Sequence, residues 1–284
     1  MKKIRSISRA VRILESFGSG SSPTVTELSR SLKLPKSSVF EILSTLAAEG
    51  MVAKEEQTNR YRLGVKLLEL SSLAGQGLEV TAVAEPLLRA LNEALDETVQ
   101  LTVLDKGEIL YVSGFESTRQ LRTFFRLGDR APLHCTALGK AILAFLPRKE
   151  IDRIVRAAGL PRFTPRTLTD KRVLAEELEQ TAARGYSVDD MEHEEEVRCV
   201  GAPIRDREGK VFAAVSVSGP AHRVSRARET EIARRVVAVA DEISKRLGWI
   251  EAAGESVRRK GGDDARARDS KPGSRRLPSS STRR

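Results

Sequence analysis

Apolar residues at the start of the chain recur at helical spacing in three separate segments and then alternate with polar residues in two short ones. The helical segments cover residues 7–17, 24–33 and 36–50, and the alternating segments cover 51–54 and 60–63. Thr24 and Glu27 open the second helix with the spacing of a capping box. Three helices followed by a hairpin predict a winged helix-turn-helix over residues 1–63.

Beyond this point the pattern becomes a mixture of helices and strands. A helical pattern interrupted at Pro86 predicts a connecting helix over 64–80 and then the first helix of a second domain over 81–249. Strand patterns follow at 99–104, 109–113, 121–125, 197–204 and 211–217, and helical patterns at 137–146, 150–158, 170–184 and from Ser225 to Gly248. We therefore expect an α+β fold.

The composition, with 40% hydrophobic and 31% charged residues among 284, is typical of a soluble globular protein. No apolar stretch approaches the roughly 18 residues of a membrane span, so we expect no membrane contact. Arg9 and Arg12 interrupt the basic start where a secretory signal needs an apolar stretch, which predicts a cytoplasmic protein. Two cysteines, Cys135 and Cys199, exclude a disulfide scaffold and a four-cysteine zinc site.

The net charge of +10 is concentrated at the two ends of the chain. Residues 1–62 carry 11 Lys or Arg against 6 Asp or Glu, residues 251–284 carry 10 against 5, and the charges between them balance. This asymmetry favours a polyanion bound by an end of the chain. Residues 250–284 contain almost nothing apolar, so we expect a disordered basic tail.

The third helical segment has the features of a helix that reads the DNA major groove. Its first turn offers small or polar side chains, and basic residues of the hairpin are placed to contact phosphates. The predicted DNA-binding residues are Lys36, Ser37, Ser38, Phe40, Glu41 and Ser44 on the helix, and Lys54, Arg60 and Arg62 on the hairpin. Double-stranded operator DNA is therefore the predicted partner. Alternatively, these residues form only the solvated basic face that any small helical unit can have, with no DNA contact.

Several segments resemble those of the isocitrate lyase regulator (IclR) family of bacterial transcription factors. In the N-terminal part these are Ser8-Arg9-Ala10-Val11-Arg12-Ile13-Leu14, Leu34-Pro35-Lys36-Ser37-Ser38-Val39 and Tyr61-Arg62-Leu63-Gly64. In the second part they are Pro132-Leu133-His134-Cys135-Thr136-Ala137-Leu138-Gly139-Lys140-Ala141, Arg184-Gly185-Tyr186, Val197-Arg198-Cys199-Val200 and Ala214-Val215-Ser216-Val217-Ser218-Gly219-Pro220. Many members carry His-Arg where this chain has Phe40-Glu41, so the resemblance does not predict the operator sequence.

The resemblance implies a winged helix-turn-helix joined by a connecting helix to a GAF/PAS-like effector domain with an antiparallel sheet. It also implies a homodimer or homotetramer on DNA and a small-molecule effector. In glyoxylate- and pyruvate-responsive members, the ligand lies where Ala137, Leu138, Asp189, Cys199, Ser216 and Ser218 match, with apolar walls near Leu121 and Val197.

The residues themselves suit a small hydroxylated acid. Ser216 and Ser218 share one face of a predicted strand, and the helix after Thr136 offers free N–H groups. Asp189 repels a bare anion unless it meets a ligand hydroxyl or is itself protonated. Alternatives remain open, because the serines can leave room for a packed helix, Cys199 can be an inert core thiol, and the acidic stretch around Asp189 can be solvated.

Other function classes fit less well. One alternative is a small-molecule-binding enzyme subunit. His134 and Cys135 are adjacent on one strand and face opposite sides, so His134 cannot act as the base of a Cys135 nucleophile. A metal site that combines these two residues with His193 and Cys199 is a further alternative. A non-specific nucleic-acid binder would use the basic ends of the chain, and residues 63–250, whose charges balance, would have no function. We predict a ligand-responsive regulator with no catalytic residues, metal or cofactor.

Overall fold

The computed structural model describes residues 4–17, 22–70 and 79–250. Contacts divide the chain into two compact units, with the boundary between Glu79 and Val80. Residues 251–284, predicted as a disordered tail, lie outside the described residues. Within the described ranges, none of the helices is long and apolar enough to cross a membrane.

The first unit contains three helices and a two-stranded antiparallel hairpin in the predicted order. Its elements are α1 (Arg5–Glu15), α2 (Val25–Leu32), α3 (Lys36–Ala48), β1 (Val52–Glu55) and β2 (Arg60–Leu63). Apolar side chains from every element meet in one core, formed by Ile13, Phe17, Leu28, Val39, Leu43, Val52 and Tyr61. The core buries one face of α3 and leaves its other face exposed, so the predicted winged helix-turn-helix is confirmed.

Helix α2 begins at the predicted capping box. The N–H of Thr24 donates to Oε2 of Glu27 at 2.7 Å, and the N–H of Glu27 donates to Oγ1 of Thr24 at 3.3 Å. Two N–H groups that lack an acceptor within the helix are thereby satisfied. The helix ends at Lys33, whose φ of 53° is left-handed, and the chain then turns into α3 at Pro35.

The predicted connecting helix is described only in part. Residues 66–70 are helical, and 71–78 lie outside the described residues. The predicted interruption at Pro86 is wrong, because Pro86 lies inside α4 (Glu79–Leu95). Pro86 is exposed and has no N–H group, so the helix lacks one backbone hydrogen bond there. The buried apolar face of α4 stabilises the helix and keeps it continuous. That face consists of Val80, Ala84, Leu88, Leu91 and Leu95.

The second unit is built on a six-stranded antiparallel sheet with the order β5-β4-β3-β8-β7-β6. Its strands are β3 (Thr98–Asp105), β4 (Glu108–Phe115), β5 (Arg130–Ala131), β6 (Ser187–Asp190), β7 (Val197–Arg205) and β8 (Val211–Pro220). Its helices after α4 are α5 (Ala137–Leu143), α6 (Arg148–Ala158), α7 (Lys171–Arg184) and α8 (Glu229–Arg246). Helix α5 packs on β6, β7 and β8, and α8 packs on β7 and β8. The predicted α+β fold with an antiparallel sheet is confirmed.

The strand predicted at residues 121–125 is wrong, because this segment is irregular. Its central residue, Thr123, bonds to the sheet without joining a strand ladder. Oγ1 of Thr98 donates to the carbonyl oxygen of Thr123 at 2.6 Å, and Oγ1 of Thr123 donates to the carbonyl oxygen of Ser218 at 3.1 Å. Side-chain hydrogen bonds thus satisfy polar groups that a strand would pair through its backbone.

Two further boundaries differ from the sequence prediction. The last helix has Arg228 as its N-cap instead of Ser225, because residues 225–228 form a turn in which the N–H of Arg228 donates to the carbonyl oxygen of Ser225 at 3.0 Å. The edge strand β6 was not predicted, because Asp189 and Asp190 belong to an acidic stretch that is typical of solvated loops.

Candidate functional sites

Helix α3 presents to solvent most of the side chains predicted to contact DNA. Lys36, Ser37, Phe40, Glu41 and Ser44 are exposed, and Ser38 is half-buried. Phe40 exposes 53% of its surface and is therefore available for contact with a partner. No side chain of the described residues caps the first turn of α3, so its N–H groups remain open to an external acceptor.

The hairpin carries its predicted basic residues on both faces. Strand pairing places Lys54 on the opposite face from Arg60 and Arg62, and all three side chains are exposed. Arg60 also stabilises the unit internally, because its Nη1 donates to the carbonyl oxygen of Ser22 at 2.5 Å and lies 3.6 Å from Oε2 of Glu27. Arg60 therefore joins the hairpin to the start of α2.

A small cavity of about 60 Å³ lies on one face of the sheet in the second unit. It is lined by seven of the predicted effector residues, namely Ala137, Leu138, Asp189, Val197, Cys199, Ser216 and Ser218. The structure places the eighth, Leu121, outside the lining. The Leu121 side chain is 64% exposed, and its carbonyl oxygen accepts from Arg223 at 2.8 Å.

Strand register explains why residues distant in sequence share this cavity. Asp189 on β6 pairs with Cys199 on β7, and Cys199 pairs with Ser218 on β8. In a second row, Ser216 pairs with Gln100 on β3. Because directly paired residues point to the same side of a sheet, the two rows bring their side chains to one face.

Gln100 organises the two serines. Its Oε1 accepts hydrogen bonds from Oγ of Ser218 at 2.9 Å and from Oγ of Ser216 at 3.3 Å. All three side chains are buried. The serines are therefore hydrogen-bonding groups of the wall as well as small residues, and with the amide they provide donors and acceptors without a charge.

Burial determines the protonation of the titratable groups in the wall. Burial and the nearby carboxylate of Glu192 raise the pKa of Asp189 to about 7, although the Glu192 N–H donates to its Oδ1 at 2.7 Å and opposes this shift. Burial raises the pKa of the Cys199 thiol well above its ordinary value and lowers the pKa of His193. Cys199 and His193 are therefore neutral at pH 7.

Charged side chains of both signs lie at the mouth of the cavity. None of the described residues that line the cavity itself is Lys or Arg. The wider opening in front of it, which shares Phe124 and Glu194 with the cavity, adds Arg122, Arg126 and Arg130. Arg122 pairs with Glu116 and Arg130 with Asp105, so carboxylates offset much of this charge. The interior offers an anion only neutral donors and carboxyl groups.

Sequence reasoning missed half of the lining. The missed residues are Gln100, Tyr111, Thr123, Phe124, Thr136, His193 and Glu194. Gln100 gave a usable signal, because a polar residue in the apolar strand pattern of 99–104 requires a buried partner. Thr123 and Phe124 lie in the irregular segment, where no periodicity indicates which way a side chain points.

The alternative metal site is not formed among the described residues. No group of three or more His, Cys, Asp or Glu side chains in that part of the chain is arranged to hold a metal ion. The ring of His134 instead lies with Nε2 at 3.0 Å from the carbonyl oxygen of Pro161. Burial raises the pKa of the neighbouring Cys135 thiol to about 12, so this thiol is not a nucleophile at neutral pH.

A winged helix-turn-helix joined in one chain to a domain with a polar cavity defines the class of ligand-responsive transcription factors. Comparison with protein families identifies the group. Residues 6–56 match the family described as IclR helix-turn-helix domain, and residues 73–245 match bacterial transcriptional regulator IclR C-terminal. The chain belongs to the IclR family and is a DNA-binding transcriptional regulator.

Individual relatives agree with this assignment. The HTH-type transcriptional regulator BhcR of Paracoccus denitrificans (strain Pd 1222) is 37% identical over 252 residues, which cover 89% of this chain and 90% of BhcR. The HTH-type transcriptional regulator KdgR of Escherichia coli (strain K12) is 35% identical over 246 residues, covering 87% of this chain and 94% of KdgR.

Solved structures show the same fold. Thermotoga maritima IclR superposes with a TM-score of 0.74 at 32% identity, covering 87% of this chain and all of that one (100%). An IclR homolog from Microbacterium hydrocarbonoxydans, complexed with 4-hydroxybenzoate, gives a TM-score of 0.77 at 25% identity and covers 85% of this chain and 98% of that one.

Proposed function

We propose that this regulator binds an operator through α3 and the hairpin, and that a small organic acid in the cavity of the second unit controls this binding. The proposal includes a homodimer or homotetramer acting in the cytoplasm and no catalytic activity. The exposed first turn of α3 carries the DNA part of the proposal. The row of strand-paired residues Asp189, Cys199 and Ser218 in the cavity wall carries the effector part.

The DNA-binding surface comprises the nine predicted residues of α3 and the hairpin. Ser37 and Lys36 lie at the exposed start of α3, where a recognition helix contacts base edges and phosphates. Arg62 and Lys54 project from opposite faces of the hairpin, which suits phosphate contacts on both sides of a thin wing. Arg60 has the additional internal role described above.

The test uses a duplex selected by the full chain from random-sequence DNA, with a shuffled duplex as reference. Lys36→Ala and Ser37→Ala should each weaken binding to the selected duplex by about 1–3 kcal/mol. Lys149→Ala, an exposed substitution on α6, is the matched control and should have no effect. Unchanged affinity in both α3 variants would place the reading helix elsewhere.

The same experiment separates the proposal from non-specific nucleic-acid binding by the basic ends. Binding driven by phosphates treats the selected and the shuffled duplex alike and weakens steeply with salt. A sequence-specific regulator prefers its site by about a thousandfold or more at physiological salt. Equal affinity for both duplexes would support the non-specific alternative.

The organic-acid class is supported by the wall chemistry and by a relative. Gln100 and its two serines offer neutral hydrogen bonds to the polar groups of such a ligand. The Microbacterium homolog is complexed with a hydroxylated aromatic acid, 4-hydroxybenzoate. A hydroxylated acid places its anionic group and its hydroxyl on different parts of such a wall.

Isothermal titration with pyruvate, glyoxylate, gluconate and 4-hydroxybenzoate tests this class on the wild-type chain, Ser216→Ala and Cys199→Leu. At least one acid should bind the wild type. Ser216→Ala removes a hydroxyl, and Cys199→Leu fills space in the wall, so both variants should bind that acid more weakly. Equal binding to both variants would show that the site is misplaced.

A further inference from the structure

The proposed effector and the cavity wall both carry carboxyl groups, and the wall offers no matching cation. Asp189 and Glu194 line the cavity, and no described lining residue is Lys or Arg. Only 3% of Asp189 is exposed. Two carboxylates in contact at such a buried position repel each other far more strongly than in water. An acid can therefore bind beside Asp189 only if this repulsion is removed.

The groups that pack around Asp189 come from several elements and supply no positive charge. Glu192 follows in the turn after β6, and its main-chain N–H donates to Oδ1 of Asp189 at 2.7 Å. Cys199 on β7 is its direct strand partner. Tyr111 on β4 and Cys135 before α5 also interact with its charge. These phenol and thiol groups are neutral, because desolvation raises their pKa, and the carboxylate of Glu192 repels a charge on Asp189.

Lys140 on α5 faces the same region but supplies no excess positive charge. Its ammonium group pairs with Glu192, and Oε1 of Glu177 on α7 lies 3.7 Å from its Nζ. Glu177 pairs more closely with Arg184, at 2.7 Å, so the charge of Lys140 is mainly balanced by Glu192. The main-chain N–H of His193 also donates to Asp189, and the His193 ring is neutral because burial lowers its pKa. Neighbouring Asp190 is held separately by Arg166, Arg198 and Arg226.

We propose, building on the function above, that Asp189 binds the effector carboxylate as a neutral carboxylic acid, through an O–H···O hydrogen bond. A protonated carboxyl group can still accept the N–H groups of Glu192 and His193 while its hydroxyl donates to the ligand. No covalent bond changes, and the proton comes from the solvent whenever Asp189 is ionised before binding. Each monoanion that binds to the ionised form of the protein is therefore accompanied by the uptake of one proton.

The neutral form is accessible near physiological pH. Burial and Glu192 raise the pKa of Asp189 to about 7, so both protonation states of the free protein are populated there. Binding that requires the protonated state weakens as this state is depopulated. Affinity for a monoanion should thus fall as pH rises above 7 and become constant at lower pH, where Asp189 is already protonated.

Isothermal titration calorimetry of the full wild-type chain without DNA measures the pH dependence of the Kd and the proton uptake. The probes are the four acids named above, between pH 6 and 8.5. For an acid that binds, Kd should rise about fivefold between pH 7 and pH 8. In buffers of different ionisation enthalpy, the observed heat at pH 8 should show uptake of close to one proton per acid. The wild-type measurement requires no variant to fold.

Two substitutions locate the proton. Asp189→Asn keeps the shape and an N–H donor, so it should bind the same acid with a Kd that does not depend on pH and without proton uptake. Glu194→Gln, in the same wall, should retain the pH dependence of the wild type. Loss of the pH dependence in Glu194→Gln, but not in Asp189→Asn, would assign the proton to Glu194 and overturn the proposal.

Two wild-type outcomes distinguish this inference from the proposed function. Binding of an acid with a constant Kd across this pH range and no proton uptake would overturn the role of Asp189 alone. Failure of all four acids to bind at every pH would contradict the organic-acid class and would remove this inference with it.

Discussion

The ammonium group of Lys140 forms an ion pair with the carboxylate of Glu192, and both side chains are buried. The pair links α5, which begins at the cavity, to the turn that follows Asp189. Oε2 of Glu192 has no hydrogen-bond partner among the described residues. Burying two charges costs several kcal/mol each, so this link is stable only while both partners are present.

Removing one partner should therefore destabilise the second unit strongly. Lys140→Met leaves the carboxylate of Glu192 without its cation, whereas Glu177 keeps Arg184 at 2.7 Å. The free energy of unfolding should fall by about 3–5 kcal/mol. Urea denaturation of the purified variant measures this change. Adding Glu192→Gln to Lys140→Met should recover part of the loss, because the second substitution removes a buried charge. A decrease below about 1 kcal/mol in the single variant would contradict the account.

The stability of the protein should depend on the protonation of Asp189. Its pKa is about 7 in the folded protein against an ordinary value of 3.8, so the protonated form favours folding. This contribution is fully present below about pH 4 and is lost as pH rises through 7. Relative to Asp189→Asn, the wild type should lose up to about 1.4 kcal/mol per pH unit in this interval.

Urea unfolding of the wild type and Asp189→Asn at pH 5, 6 and 7 measures this difference, because the other titrating groups are common to both chains. The two free energies should diverge as pH rises. A constant difference between them across these pH values would show that Asp189 does not titrate in this interval.

Gln100 should be necessary for effector binding. Gln100→Leu removes the acceptor of Ser216 and Ser218, whose hydroxyls then turn to other partners. We expect the Kd of a bound acid to rise about tenfold, which corresponds to about 1.4 kcal/mol. Gln180→Leu, at an exposed position of α7, is the control and should bind as the wild type does. An unchanged Kd in Gln100→Leu would exclude this hydrogen-bonded group from the site.

The end of the folded region should lie just beyond Trp249. Its ring is 6% exposed, and the guanidinium of Arg205 lies 5.1 Å from it and 4.8 Å from the ring of Phe145. Deleting residues 251–284 should change the free energy of unfolding by less than about 0.5 kcal/mol. Trp249→Ala should cost about 3 kcal/mol. A shortened chain that fails to fold would contradict the first expectation.

The predicted tail should still contribute to DNA affinity through its charge. The chain that lacks residues 251–284 loses ten basic side chains, so its binding to shuffled DNA should weaken most at low salt. Anisotropy titrations at two salt concentrations measure this effect. Equal affinity of both chains at low salt would show that the tail has no such role.

Local patterns predicted the first unit well, because each of its signals acts over a few residues. The capping box at Thr24, the break at Pro35 and the hairpin each depend on neighbouring positions, and all appear in the structure. The α+β class of the second unit followed from the same periodicities. The strand order did not, because it depends on pairing between distant segments such as β3 and β8.

The cavity shows the same limit. Ser216 and Ser218 were placed on one face by their spacing alone, and the structure confirms that they share a face. Phe124 could not be found in this way, because it belongs to a segment held by single side-chain hydrogen bonds instead of a repeating element. Leu121 has an apolar side chain that suits a wall, yet the same irregular segment directs it to solvent.

The account is tested most directly by measuring whether an acid bound in the cavity weakens or strengthens operator binding. Fluorescence anisotropy of the selected duplex, with and without the acid that binds best, compares the wild type with Cys199→Leu. The acid should change the operator Kd of the wild type by about tenfold, while the variant binds DNA equally well without acid and does not respond to it. The same response to the acid in both chains, or no response in the wild type, would contradict control of DNA binding from this cavity.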